Sequence, residues 1–258
     1  MNFEKKVAFI TGSAQGIGKA TALVLAKYGA DIVAADLNEE GAKKTIEQVK
    51  ALNRDGMAIK LDVTNEKDVN DAIDKAIEKF GKIDILVNAA GIAIQSMVLN
   101  TSVEMWNKTF DINIKGVFLC CKAAVKHMLK NNSGKIVNLS SRAAKIGEST
   151  NAAYCCSKAA VSMFTQVLAL EMATSNINVN AVCPGMINTE MIQNAIVRFS
   201  KEKGLPADEF AKNWIGEIPM KRMGEPEEVG EFIAFLCSDK ANYLTGSAFN
   251  IDGGAVRI

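Results

Sequence analysis

Short apolar runs rich in β-branched side chains recur along this 258-residue chain at 7–10, 32–36, 58–62, 85–88, 136–140, 177–182 and 248–252. Each is four to six residues long and apolar nearly throughout, the pattern of strands buried on both faces. Between them lie segments of helical period at 16–28, 39–52, 66–80, 103–130, 154–174 and 226–237. Strand and helix alternating in this way predict an α/β fold in one domain over 1–258: a doubly wound parallel sheet of about seven strands with helices on both sides. No repeat, low-complexity tract or linker breaks the series.

Residues 186–222 fall outside the alternation. They carry Met186, Met191, Ile192, Phe199, Trp214 and Ile215 without a clear strand. A stretch this long in a compact domain reads as a substrate-binding loop or lid, or as an amphipathic helical pair packed on the core. Both hold together if the helices wall a pocket.

The chemistry starts directly after the first strand. Thr11-Gly12-Ser13-Ala14-Gln15-Gly16-Ile17-Gly18-Lys19 opens a helix, and glycines there let the backbone approach a pyrophosphate while the helix N-terminus offers free N–H groups. The spacing is G-x-x-x-G-x-G and not the general G-x-G-x-x-G, so a plain tight turn competes with an anion site. Asp36 ends the second strand 18 residues after Gly18, where a carboxylate bonds the ribose hydroxyls of a bound dinucleotide. It would repel a 2′-phosphate, and Ala14, Gln15, Leu37 and Asn38 supply no cation, so NAD(H) is expected over NADP(H). The competing reading of Asp36 is a helix N-cap.

Tyr154 and Lys158 are four residues apart in a predicted helix and share a face. A neighbouring ammonium favours a phenolate, which would bring the tyrosine toward useful acid/base chemistry near neutral pH. A solvated helix face explains the spacing equally well.

Composition narrows the classes. With 30 basic and 29 acidic residues the net charge is +1, and no basic stripe marks a nucleic-acid surface. The N-terminal apolar run is too short for a signal peptide and no later run reads as long enough to span a bilayer, so a soluble, cytoplasmic protein is expected. Six cysteines without C-x-x-C spacing read as reduced, buried thiols, and His127 among lysines late in a helix is not a metal ligand; no metal is expected.

Together these residues resemble the classical short-chain dehydrogenase/reductase family, whose fold is of the Rossmann type. The match runs over nearly the whole chain: Thr11 to Gly18, Asp62-Val63, Asn88-Ala89-Ala90-Gly91, Asn113, Ser141, Tyr154 with Lys158, and Pro184-Gly185 followed by Thr189. Asn-Ala-Ala-Gly departs from the commoner Asn-Asn-Ala-Gly but keeps the first asparagine and the glycine. The resemblance implies Tyr154 as the acid/base, Lys158 lowering its pKa and holding the nicotinamide ribose, Ser141 bonding the substrate oxygen, and Asn113 anchoring a water that relays protons from Lys158. Ser140 competes with Ser141 and would finish the strand. It further implies cofactor contacts at Gly12, Gln15, Gly16, Ile17, Gly18, Asp36, Asp62, Val63, Asn88 and Gly91, and, around the carboxamide, at Pro184, Gly185, Ile187 and Thr189. A homotetramer follows from the family, with residues 245–254 at a subunit contact.

The expected activity is NAD(H)-dependent interconversion of a secondary alcohol, of the diol, sugar alcohol, hydroxy acid or hydroxysteroid class, with its ketone. Alternatives are an NADPH-dependent 3-oxoacyl-carrier-protein reductase and a non-catalytic NAD(H) sensor. Glu148 either bonds a second substrate hydroxyl or is an exposed loop carboxylate.

Overall fold

The computed structural model describes residues 1–256. Its elements run β1 (Val7–Thr11), α1 (Gly16–Lys27), β2 (Asp31–Asp36), α2 (Glu39–Ala51), β3 (Gly56–Lys60), α3 (Glu66–Phe80), β4 (Ile85–Asn88), α4 (Val103–Phe110) and α5 (Gly116–Asn131). Then come β5 (Gly134–Leu139), α6 (Ala152–Met172), β6 (Ile177–Pro184), α7 (Glu190–Lys203), α8 (Ala207–Gly216), α9 (Pro226–Cys237) and β7 (Ala248–Ile251). The seven strands form one parallel sheet in the order β3-β2-β1-β4-β5-β6-β7.

Strand residues alternate between the two faces, and the sheet therefore divides the core in two. Phe9, Leu86 and Ile136 pack under α3, α5 and α6, while Ile10, Val87 and Val137 pack under α1, α2 and α9. Each of these side chains is at most 1% exposed, and burying one contributes roughly 1.5–3 kcal/mol. The order reverses between β1 and β4, so their carboxyl ends open a crevice, the usual ligand position in such sheets.

The interrupted helix and the shifted third strand differ from the sequence reading, and residues 186–222 take one of the two forms it offered. The predicted helix over 103–130 is interrupted by a π-turn at Asp111–Lys115, with Asn113 fully buried at its centre. Single π-turns within helices recur at functional sites. The third strand lies two residues earlier than predicted, because Gly56 opens the pairing opposite Ile32 and Asp62 is drawn into a turn. Residues 186–222 contain α7 and α8, joined through Gly204 in the left-handed region (φ 65°), and Phe199, Phe210 and Trp214 interlock between them at centroid distances of 5.6–6.1 Å. The helical pair is thus present, and it walls a pocket.

Two smaller expectations are corrected. Cys156 is exposed and Cys155 half-buried, because their stretch of α6 starts at the rim of the pocket; the other four thiols are buried. By length and hydropathy α6 would be long and apolar enough to cross a membrane, yet Ala153, Lys158, Val161 and Thr165 bury its inner face against the sheet.

Candidate active site

The β1–α1 turn is held from below. Thr11, 1% exposed, accepts hydrogen bonds through its hydroxyl from the N–H groups of Ala89 and Ala90 (both 3.2 Å), tying the end of β1 to the end of β4. At Gly12 the chain takes φ 66°, and a Cβ there would stand 2.6 Å from the Ala90 nitrogen. A Cβ on Gly18 would run into the Gly12 carbonyl. Larger side chains at either position would push the turn off the β4 loop. Gln15 precedes α1 without a side-chain cap, so the first N–H groups of the helix face the crevice unpaired by it.

Asp36 is no helix cap: Asn38 caps α2 by accepting from the Gly41 N–H at 3.1 Å. The Asp36 carboxylate instead accepts from the Ala14 N–H and the Asn38 N–H, each at 2.9 Å, and stands at the far end of a cleft of about 620 Å³. Asp62 Oδ1 accepts from the Thr64 N–H and hydroxyl (2.9 and 2.8 Å), which aligns Asp62 and Val63 along the same cleft. Gly12, Gln15, Gly16, Ile17, Gly18, Gly91, Pro184, Gly185, Ile187 and Thr189 complete its walls.

The side chain of one expected contact does not reach it. Asn88 is buried at the end of β4 and its Nδ2 donates inward, to Asn138 Oδ1 at 2.8 Å and to the Cys121 sulfur at 3.3 Å; the pleat points it beneath the cleft, and only residues after it line the wall. Asn113 also stays below. Its Oδ1 accepts from the Ile92 N–H (2.8 Å), and its Nδ2 donates to the Ile92 carbonyl (2.9 Å) and the Ser157 hydroxyl (3.0 Å). With three bonds to protein, the amide fixes the 89–92 segment and α6, which accounts for the π-turn.

At the other end of the cleft stand Ser141, Tyr154 and Lys158. Ser141 follows β5 in extended backbone and accepts from the Ala143 N–H at 3.1 Å, while Ser140 turns away, donating to the Lys158 carbonyl at 2.9 Å. Lys158 is 4% exposed, lies 5.7 Å from the centre of the Tyr154 ring, and donates to the Leu139 carbonyl at 2.7 Å. The pair shares a face as the spacing predicts. The expected lowering of the phenol is absent: burial pushes Tyr154 up to about 12, with the Ser141 hydroxyl opposing, and pushes Lys158 down to about 8. Tyr154 is half-buried and Lys158 buried, and desolvation acts against the charged form of each.

A second cavity of about 980 Å³ opens on the other side of Tyr154, between the 142–151 loop, α7 and α8. Sequence reasoning left Arg142 unassigned. Its Nε donates to Glu148 Oε1 at 3.0 Å, and Asn151 Nδ2 donates to Glu148 Oε2 at 3.0 Å, so both carboxylate oxygens are engaged and Glu148 is neither free nor fully exposed. This clamp spans the loop from Ser141 to the start of α6. Thr150 within it holds φ 65°, a strained setting for a β-branched residue. Removing the clamp by Arg142→Met should cost about 1 kcal/mol, a fall in Tm of about 2–4 °C by calorimetry, and should lower turnover as Ser141 loses its register with Tyr154. An unchanged Tm together with unchanged turnover would show that the clamp does neither.

A doubly wound sheet whose switch-point cleft runs from an acidic end to a serine, tyrosine and lysine marks a nucleotide-dependent oxidoreductase. The chain belongs to the short-chain dehydrogenase/reductase family. A family model described as enoyl-(acyl carrier protein) reductase matches residues 12–256. An uncharacterized oxidoreductase of Thermotoga maritima is 40% identical over 259 residues, covering all of both chains. A 3-oxoacyl-[acyl-carrier-protein] reductase of the same organism is 38% identical over 99% of this chain and 100% of its own. Among solved structures, NAD+-bound xylitol dehydrogenase superposes with a TM-score of 0.94 at 33% identity, over 98% of this chain and 100% of that one.

Proposed function

We propose that this chain is an NAD(H)-dependent oxidoreductase interconverting a secondary alcohol and its ketone. One observation carries the reading: Ser141 and Tyr154 line both the nucleotide cleft and the second cavity, and so stand where the two meet. The chain's residues suit a dinucleotide. Gly12 and Gly18, whose Cβ positions the chain's own backbone occupies, shape a turn that lines the cleft at the N-terminus of α1, where free N–H groups suit a pyrophosphate, and Asp36 presents a carboxylate where ribose hydroxyls would lie. When bound, the nicotinamide gives or takes the hydride.

In reduction, Tyr154 passes its phenolic proton to the substrate oxygen as the C–O double bond opens, and Ser141 donates a hydrogen bond to the same atom where negative charge develops. In oxidation Tyr154 takes that proton back. Lys158 keeps a cation under the ring, which favours the phenolate during transfer. Appearance of absorbance at 340 nm when NAD and a panel of secondary alcohols are supplied tests the reading; no turnover with diols, sugar alcohols, hydroxy acids or steroids would reject it.

NADPH-linked reduction of an acyl-carrier-protein substrate is the second reading. The name of the Thermotoga maritima relative favours it, as does exposed Lys60, the register partner of Asp36 on β3. Against it stands Asp36 itself, which no ion pair neutralises among the described residues.

A homotetramer is part of the proposal. The outer face of α5 and α6 exposes Phe118, Met163, Val167 and Leu170, an apolar stripe that a second copy would cover. Light scattering should give four times the chain mass of 27.7 kDa, and a monomer mass would reject the assembly.

A further inference from the structure

We infer that the second cavity takes an elongated substrate whose far end is anionic, a carboxylate or phosphate group received by Arg198 and Lys203. The inference rests on the oxidoreductase reading above and names the substrate class of that site. Its frame is α7. Met191 and Ile192 line both the nucleotide cleft and the second cavity, so the first turn of α7 marks the reacting end. Farther along the helix Arg198 and Lys203 also line the second cavity. At a rise of 1.5 Å per residue they lie about 10 and 18 Å from Met191 along the helix axis. The wall therefore changes from apolar at the reacting end to cationic at the outer end.

Both cations are laid against aromatic rings. The Arg198 guanidinium is 4.7 Å from the centre of the Phe199 ring and the Lys203 ammonium 5.5 Å from that of Phe210. Those rings interlock with Trp214, so the charges border an apolar wall and do not trail freely in solvent. Neither cation is neutralised well. Arg198 reaches only Glu202, at 3.9 Å, and both side chains are about half exposed; Lys203 has no ion pair among the described residues.

The carboxylates that line the cavity leave this charge standing. Glu148 is consumed by Arg142 and Asn151, which leaves Glu217 alone against two cations. A cation at the last turn of a helix also complements its dipole, which accounts for Lys203. It does not account for Arg198, mid-helix, and the guanidinium fork suits two oxygens of one anion. A cavity of about 980 Å³ exceeds the needs of a small ketone and accommodates an apolar body between the reacting carbon and the charge. The anionic group takes no part in the hydride and proton transfers; it sets orientation and affinity.

The test compares matched aryl or medium-chain ketones carrying a terminal carboxylate, a phosphate monoester or a neutral methyl ester, with NADH as reductant. The expected result is a kcat/KM at least tenfold higher for one or both anions than for the ester, expressed mainly in KM and shrinking as salt is raised. Which anion ranks first identifies the group. Arg198→Met and Lys203→Met should each cut the anion-to-ester ratio severalfold, and Arg198→Glu should invert it in favour of the ester. Turnover of the ester at the same efficiency as the anions, or a ratio unchanged in the double Arg198→Met, Lys203→Met variant, overturns the inference while leaving the oxidoreductase reading intact. No turnover of any compound with either cofactor overturns both.

Discussion

Tyr154→Phe is expected to lower kcat by about 10²–10⁴-fold, the range over which a positioned proton donor acts. The ring stays, so the packing at the start of α6 and the Lys158 ammonium 5.7 Å from the ring centre are preserved. What goes is the one hydroxyl placed between the nucleotide cleft and the second cavity, apart from Ser141. Cofactor affinity, measured by fluorescence titration, should therefore change little while single-turnover hydride transfer collapses. The pH profile of the unaltered protein gives an independent check. Oxidation requires the phenolate, and burial holds the phenol at about 12, so the competent fraction rises with each pH unit above neutrality. Reduction requires the neutral phenol, which dominates throughout that range. Oxidative kcat/KM should accordingly climb with pH while the reductive value stays level, until loss of the Lys158 proton above about 8 weakens both. Near-normal turnover in Tyr154→Phe would remove the tyrosine from the mechanism.

How far the site could be read from sequence depends on whether local spacing or tertiary direction decides each residue. The β1–α1 turn and Asp36 were legible because strand, turn and helix succeed one another within thirty residues, and the positions of their backbone groups follow from that order. Tyr154 and Lys158 were legible as a pair through their offset and Ser141 through the family resemblance, and the structure brings all three to one end of the cleft. The direction of Asn88 was not legible, because the resemblance gives the residue and not the face; a side chain at the end of β4 can point up to the cleft or down to Asn138, and the pleat selects the latter. The direction of the Tyr154 shift was not legible for a related reason. Spacing places an ammonium near a phenol, but burial of both sets the direction of their shifts. The π-turn escaped because the hydrophobic period runs unbroken through 103–130; asparagine, a poor helix former, was its only local trace. Arg142 and Glu148 are six residues apart in a loop, a spacing that carries no periodic signal, and only the fold shows them paired.

Asp36→Ala is expected to lower kcat/KM for NADH by about two to four orders of magnitude and to move the cofactor preference toward NADPH. Hydrogen bonds from two ribose hydroxyls to a carboxylate are charge-assisted, worth about 1.5–3 kcal/mol each, and tenfold in affinity corresponds to about 1.4 kcal/mol. For NADPH the sign reverses, since removing the carboxylate also removes its repulsion of a 2′-phosphate, and Lys60 on the adjacent strand is then the nearest cation in register. The substitution has a structural cost that must be separated from this effect, because the carboxylate also accepts from the Ala14 and Asn38 N–H groups. Asp36→Asn makes the separation: its side-chain oxygen can still accept one of those bonds without the negative charge. If charge sets the preference, Asn and Ala variants should shift the NADH-to-NADPH ratio of kcat/KM in the same direction, with Asn keeping more of the native Tm. A ratio that stays within threefold of the original in both variants, or an unaltered protein that already prefers NADPH, would show that Asp36 serves the turn alone and would put the carrier-protein reductase reading ahead of the NAD(H)-dependent one.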